Sequence, residues 1–160
     1  MTGDLSNQSL SIPPGRFVPV YVTAKRHHSD KLLALRDLWP HIYFTMRWPV
    51  VRNVPSEAAR PAVHWVQDNA DDIERSEYVI CDSVPEDDLN GSIFELGIAW
   101  RAGKTIYLVG DNERYKEWKF AARVLRRGTL EQVLEEITAS IAYRVNDAER
   151  IIAAIAALGK

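Results

Sequence analysis

Glu95 is the side chain whose neighbours best equip it for chemistry. It stands in Asn90-Gly91-Ser92-Ile93-Phe94-Glu95-Leu96-Gly97-Ile98-Ala99, followed by Gly103-Lys104 and the apolar run Thr105-Ile106-Tyr107-Leu108-Val109. The pattern predicts a strand at Tyr78–Cys81, an acidic loop through Glu86, Asp87 and Asp88, and then a helix with Glu95 in its first turn. In open α/β sheets, ligands bind in the crevice outside the carboxyl ends of the strands. An acid placed there either meets the positive end of the helix dipole, worth roughly 0.3–1 kcal/mol, or acts on a bound molecule. Gly91 and Gly97 allow close approach of a ligand. Ser92 adds a hydroxyl beside the free N–H groups of the helix start, where an anion or a sugar oxygen fits. Both readings of Glu95 stay open on the residues alone.

Other clusters carry weaker chemistry. The loop Thr23-Ala24-Lys25-Arg26-His27-His28 follows the first predicted strand, and can hold a phosphate through Thr23, Lys25 and Arg26 or simply be solvated. Trp48 and Trp65 can stack on a base, although five tryptophans are as readily core residues. The four histidines (His27, His28, His41, His64) show no ligand spacing of the His-x-x-x-His kind, so no metal is expected, and no cofactor. Cys81 sits in an apolar strand and reads as packing.

The elements that must position these residues alternate. Residues 1–15 are polar and end in Ile12-Pro13-Pro14-Gly15, which predicts a flexible tail before a single domain over 16–160. Phe17–Thr23 predicts a strand, with Pro19 in its first half. A helix capped at Ser29 or Asp30 carries Leu32, Leu33, Leu35, Leu38 and Trp39 and stops at Pro40. Ile42–Met46 alternates as a strand, Pro49–Arg60 reads as a loop, and Pro61 opens a helix to about Ser76. Short apolar runs at Thr105–Val109 and Ala122–Leu125 give two more strands. Gly128-Thr129 caps a helix over Leu130–Ile137, and a separate last helix follows Asn146-Asp147 with Ile151, Ile152, Ile155 and Leu158 on one side. Strands alternating with helices imply right-handed crossovers. The expected fold is α/β: a flavodoxin-like three-layer sandwich with a mostly parallel five-stranded sheet and an extra C-terminal helix.

Bulk properties agree with one globular domain. The chain has 160 residues, of which 46% are apolar and 26% charged, enough for a sizeable core. A net charge of −2 advertises neither a nucleic-acid nor a membrane partner. One cysteine excludes an intramolecular disulfide and fits a reducing compartment. No leader pattern and no apolar run near the ~18 residues of a membrane span is seen. A cytoplasmic location is the expectation.

The Glu95 segment also resembles the nucleoside 2-deoxyribosyltransferase family and its relatives that hydrolyse nucleoside 5′-monophosphates. Those proteins share a strand, an acidic loop, the run Gly-Ser/Thr-x-x-Glu-Leu-Gly-x-Ala, and then Gly-Lys before another strand. Here the match is Gly91-Ser92-Ile93-Phe94-Glu95-Leu96-Gly97-Ile98-Ala99 with Gly103-Lys104, extending weakly back to Val20-Tyr21-Val22. The resemblance implies N-glycosidic bond cleavage with Glu95 as nucleophile, Tyr21 orienting it, and Asp88 with Ser92 holding sugar hydroxyls or the 5′ end. It also implies a homodimer or homotetramer in which a neighbouring subunit closes the site. Two positions depart from the family. The loop residue six before Glu95 is Leu89, with Asp88 next to it. The residue aligned with an aspartate of the preceding helix is Asn69, with Asp68, Asp71 and Asp72 nearby, and Asp72 is expected to bind substrate.

Three functions follow as expectations. The first is transfer or cleavage at the glycosidic bond of a (deoxy)nucleoside. The second is hydrolysis of a nucleoside 5′-monophosphate, with Lys25, Arg26 and Arg47 converging on the phosphate. The third is a nucleotide-sensing or interaction module with an inactive site, or more remotely an NAD-cleaving domain of the Toll/interleukin-receptor type.

Overall fold

The apolar runs assemble into one sheet in the computed structural model, which describes residues 17–51, 62–115 and 117–158. The strands are β1 (Val18–Ala24), β2 (Ile42–Phe44), β3 (Tyr78–Asp82), β4 (Thr105–Val109) and β5 (Val124–Arg127). Their order is β2-β1-β3-β4-β5 and every pairing is parallel. This is the flavodoxin-like arrangement that the alternating pattern implies. The tail expected over 1–15 and most of the loop expected over 49–60 lie outside the described residues.

The helices are α1 (Ser29–Leu38), α2 (Trp48–Val51), α3 (Ala62–Arg75), α4 (Asn90–Arg101) and α5 (Leu130–Leu158). Right-handed crossovers put α1 on one face of the sheet and α3 and α4 on the other, and α5, which follows the last strand, lies on the α1 face. Side chains bridge each layer: Lys31 of α1 lies 3.9 Å from Glu131 of α5, and Asn69 of α3 bonds Glu95 of α4. With both faces covered, all five residues of β3 are buried, as a central parallel strand requires. Pro19 is tolerated in β1 because ladder pairing with β3 begins only at Val20, so its missing N–H costs no ladder bond, while its carbonyl still accepts from Glu77 N at 2.7 Å.

Three expectations change. Residues 130–158 form one helix of 29 residues instead of two. The stretch from Thr138 to Val145 contains neither Gly nor Pro, and Asn146 and Asp147 each cost under about 0.7 kcal/mol inside a helix. The fifth strand lies two residues later than Ala122–Leu125, because an edge strand can carry Arg126 and Arg127 and escapes a search for apolar runs. Trp48-Pro49-Val50-Val51 forms a short helix where a loop was expected to begin.

Candidate functional site

The carboxyl ends of β1 and β3, the loop over 83–89 and the first two turns of α4 converge on one edge of the sheet. Helix α4 begins at Asn90, so Ser92 occupies its first turn and Glu95 does not. The dipole reading of Glu95 therefore loses its basis, since that effect falls off within the first turn. Glu95 is instead half-buried, and Oε1 accepts a hydrogen bond from Asn69 Nδ2 at 2.6 Å. The amide stands on α3 at the position where the resembled family carries an acid. It fixes one carboxylate oxygen without competing for a proton.

Thr23 and Ser92 meet across the mouth of the sheet. Thr23 Oγ1 donates to Ser92 Oγ at 2.8 Å, joining the end of β1 to the start of α4. Both are buried. Behind them lies Cys81, whose thiol burial pushes up to about 12, with the Glu95 and Asp82 charges adding to the shift and hydrogen bonds from Tyr115 and Ser92 opposing it. That thiol is a packing group and not a nucleophile. Tyr21 is fully buried in the middle of β1, level with Val79 of β3.

The acidic loop is built by its own hydrogen bonds. Leu89 turns inward with a φ of 26° and is 1% exposed, a left-handed conformation that costs leucine about 1–3 kcal/mol. The turn sends Asp88 outward, where it pairs with Lys25 of the loop after β1. Asp87 points inward, and its Oδ2 accepts from Val84 N at 3.0 Å. Asn112 Nδ2 holds the loop from the end of β4, donating to Val84 O at 2.8 Å and to Asp87 O at 3.0 Å. Tyr115 Oη sits 2.9 Å from the carbonyls of Cys81 and Val109 and 2.8 Å from Ser83 Oγ.

A Cβ built on Gly91 or Gly97 would meet no atom within 4 Å. Neither glycine is needed by the chain's own packing, although each costs an α-helix roughly 0.8–1 kcal/mol relative to alanine. The space beside them is open.

Other residues expected at the site have different surroundings. Trp48 is 4% exposed and donates its indole N–H to Val22 O at 2.9 Å, so its ring packs in the core. Asp72 has no exposed surface. It accepts from Arg47 N at 3.0 Å and from Arg47 Nε at 2.9 Å, and also pairs with Arg75. Arg47 further donates to Asp68 O at 2.9 Å. Partial burial lowers the Arg47 pKa, and its bond and charge contact with Asp72 outweigh this for a net rise. Arg47 is thus tied to α3, and Lys25 to the loop after β3. The Arg26 side chain lies outside the described residues.

Three features near the carboxyl ends of the strands are not legible in the sequence. Asn69 was visible only as a departure from a family pattern. Nothing local to Asn112 announces its two bonds to the loop after β3. His27 and His28 gather with Asp87, 59 residues further along, through the pairing of β1 with β3.

No protein-family model matches this chain, and no curated protein matches it. Among solved structures, the chain is similar to the CMP N-glycosidase BcmB of Clostridium botulinum, with 14% identity and a TM-score of 0.48 over 74% of this chain and 97% of that one. A likeness of that size assigns neither substrate nor residue roles. No helix among the described residues is long and apolar enough to cross a membrane.

Proposed function

We propose that this protein cleaves the N-glycosidic bond of a (deoxy)nucleoside or its 5′-monophosphate, with Glu95 as nucleophile. The observation that carries the reading is the Glu95 carboxylate, half-buried at the mouth of the sheet and aimed by Asn69 at 2.6 Å. The transition state resembles an oxocarbenium ion, so a carboxylate beneath the anomeric carbon stabilises it and then captures it. One Glu95 oxygen bonds the anomeric carbon as the base departs with the bonding electron pair, assisted by a proton donor. The other oxygen remains held by Asn69. A second base then accepts the glycosyl group, or water hydrolyses it. Ser92, braced by Thr23, and Asp88, paired with Lys25, would hold sugar hydroxyls or the 5′ end. The open space beside Gly91 and Gly97 gives the substrate room.

Hydrolysis of a 5′-monophosphate is the second reading, favoured by Lys25 directly after the carboxyl end of β1. Transfer requires water to be kept from the glycosyl-enzyme. A second copy of the chain over the cleft would do this, and oligomeric transferase and monomeric hydrolase are the corresponding expectations.

Incubation with deoxynucleosides, ribo- and deoxynucleoside monophosphates and NAD, followed by chromatography, separates these readings. Free base is expected from at least one nucleoside or nucleotide. A new nucleoside formed when a second base is present marks transfer. Base release from NAD alone, or from nothing, would overturn the proposal.

A further inference from the structure

His27 and His28 occupy a single 3-10 turn, Arg26–His28, after β1. Their rings lie 4.1 Å apart between centroids. Both direct Nε2 at the same carboxylate: His27 Nε2 is 3.6 Å from Asp87 Oδ1, and His28 Nε2 is 3.5 Å from Asp87 Oδ2. One ligating atom from each of the three residues lies within 4.8 Å of the others.

These separations are too long for N–H···O hydrogen bonds, which fall near 2.7–3.2 Å. Each, measured to its own oxygen of the carboxylate, is close to the length of one edge of a coordination tetrahedron. Bonds of roughly 2.0–2.1 Å to zinc set ligand atoms about 3.3–3.4 Å apart. His28 Nε2 is also buried and has no hydrogen-bond partner among the described residues. A buried ring nitrogen without a partner is costly, and a metal ion would satisfy it.

The carboxylate is held in place by groups behind it, as a ligand should be. Asp87 is 5% exposed, its Oδ2 accepts from Val84 N at 3.0 Å, and its backbone carbonyl accepts from Asn112 Nδ2 at 3.0 Å. His28 N donates to Lys25 O at 2.9 Å, which sets the turn that presents both rings. The donor set, two imidazoles and one carboxylate, suits zinc and the neighbouring first-row divalent ions better than magnesium or calcium.

We propose that His27, His28 and Asp87 bind one divalent transition-metal ion of the zinc class. His27 stands on the solvent side, with its side chain 63% exposed. A fourth position there is open to water or to an oxygen of a bound molecule. The ion ties the loop after β1 to the loop after β3, and the next residue in the second loop is Asp88. None of the three ligands takes part in the proposed glycosidic cleavage, and the site binds metal whether or not a glycosidic bond is cleaved.

The test uses the full chain, prepared without a polyhistidine tag, with Co2+ and Zn2+ as probes. Calorimetry is expected to give one Zn2+ per chain. Co2+ is expected to give visible d–d absorption of a nitrogen and oxygen site, and Zn2+ should abolish it. Changing a residue behind a ligand typically weakens binding about 10–100-fold. Loss of a ligand in His27→Ala or His28→Gln should therefore weaken it more than about tenfold. Asp87→Asn should do the same while keeping an acceptor for Val84 N. His41→Ala and His64→Ala, at the two other histidines, should leave binding unchanged. His27 is exposed, so its variant keeps the test alive if Asp87→Asn fails to fold. Absent saturable binding, or binding that survives His27→Ala and His28→Gln, would overturn the site.

Discussion

Asn69 on α3 donates its side-chain amide to Oε1 of Glu95 on α4 at 2.6 Å, so one helix aims the carboxylate of another. An ionised carboxylate only accepts, which fixes the amide nitrogen towards it. Replacing this donor by an acid changes the electrostatics without changing the size. In Asn69→Asp, two carboxyl groups at this separation would share one proton, raising the pH at which the pair carries full charge. The acid limb of the pH–rate profile for base release is expected to move upward, with slower turnover at neutral pH. An unshifted profile would separate Asn69 from the chemistry.

Glu95→Gln should abolish turnover and leave the fold intact. Glutamine keeps the oxygen that accepts from Asn69 but loses the anion that attacks. Helix α4 begins at Asn90, so Glu95 lies beyond the turn in which the dipole would make it stabilising. The stability change is expected to stay below about 1 kcal/mol. Thermal melting and base release, measured on one preparation, check both halves. Retained cleavage would remove Glu95 from the mechanism, and an unfolded variant would make it structural.

Lys25→Ala combined with Arg26→Ala tests the 5′ end. A charged hydrogen bond contributes about 1.5–3 kcal/mol, so the KM for a 5′-monophosphate should rise at least about tenfold. The KM for the matching nucleoside should change far less. Lys25 already pairs with Asp88, so Asp88→Asn should free the amine and favour the monophosphate over the nucleoside. Equal effects on both substrates would place the pair outside the site.

Most of the fold was legible because parallel strands buried on both faces are apolar runs, and Thr105–Val109 appears as a strand with the bounds its sequence predicts. What the sequence concealed was tertiary in origin. The partner of Glu95 depends on how α3 packs on α4, and nothing local to Asn69 announces it. His27, His28 and Asp87 lack any spacing signal, since β-pairing and not chain proximity gathers them. Trp48 and Asp72 look functional by residue type, and burial decides their surroundings. Helix α4 begins earlier than its sequence suggests, because Asn90 and Gly91 resemble loop residues although both lie in the helix.

Arg127 and Glu136 clamp β5 to α5 through contacts of 2.6 and 2.7 Å. The Arg127 hydrogen bonds hold the Glu136 carboxyl below its ordinary range, against a smaller opposing effect of burial. A depressed folded pKa means stability that is present above the unfolded value, near 4.3, and lost as pH falls through the folded one. Both side chains are about a third or more exposed, so solvent screening keeps the contribution below about 1 kcal/mol. Glu136→Gln should lower the melting temperature slightly at pH 7. The difference from the parent should shrink as the pH falls below about 4. A difference that persists in acid would mean packing, and not charge, is responsible.

Asp72 gives the clearest separation of scaffold from site. Its carboxylate is fully buried and ties Arg47, in the segment after β2, to α3 while also pairing with Arg75. Asp72→Asn keeps one acceptor but turns an amide donor towards guanidinium donors. Losing such charged hydrogen bonds costs about 1–3 kcal/mol. Chemical denaturation should show this loss, with a lower midpoint and an unchanged slope. The KM for the cleaved substrate should stay within about twofold, because a residue with no exposed surface makes no direct contact with a ligand. A fall in kcat is allowed in one form only: α3 carries Asn69, and loosening that helix would misaim Glu95 and lower kcat at constant KM. A large rise in KM at undiminished stability would instead return Asp72 to the substrate, and would require the Arg47 contact to open when substrate binds.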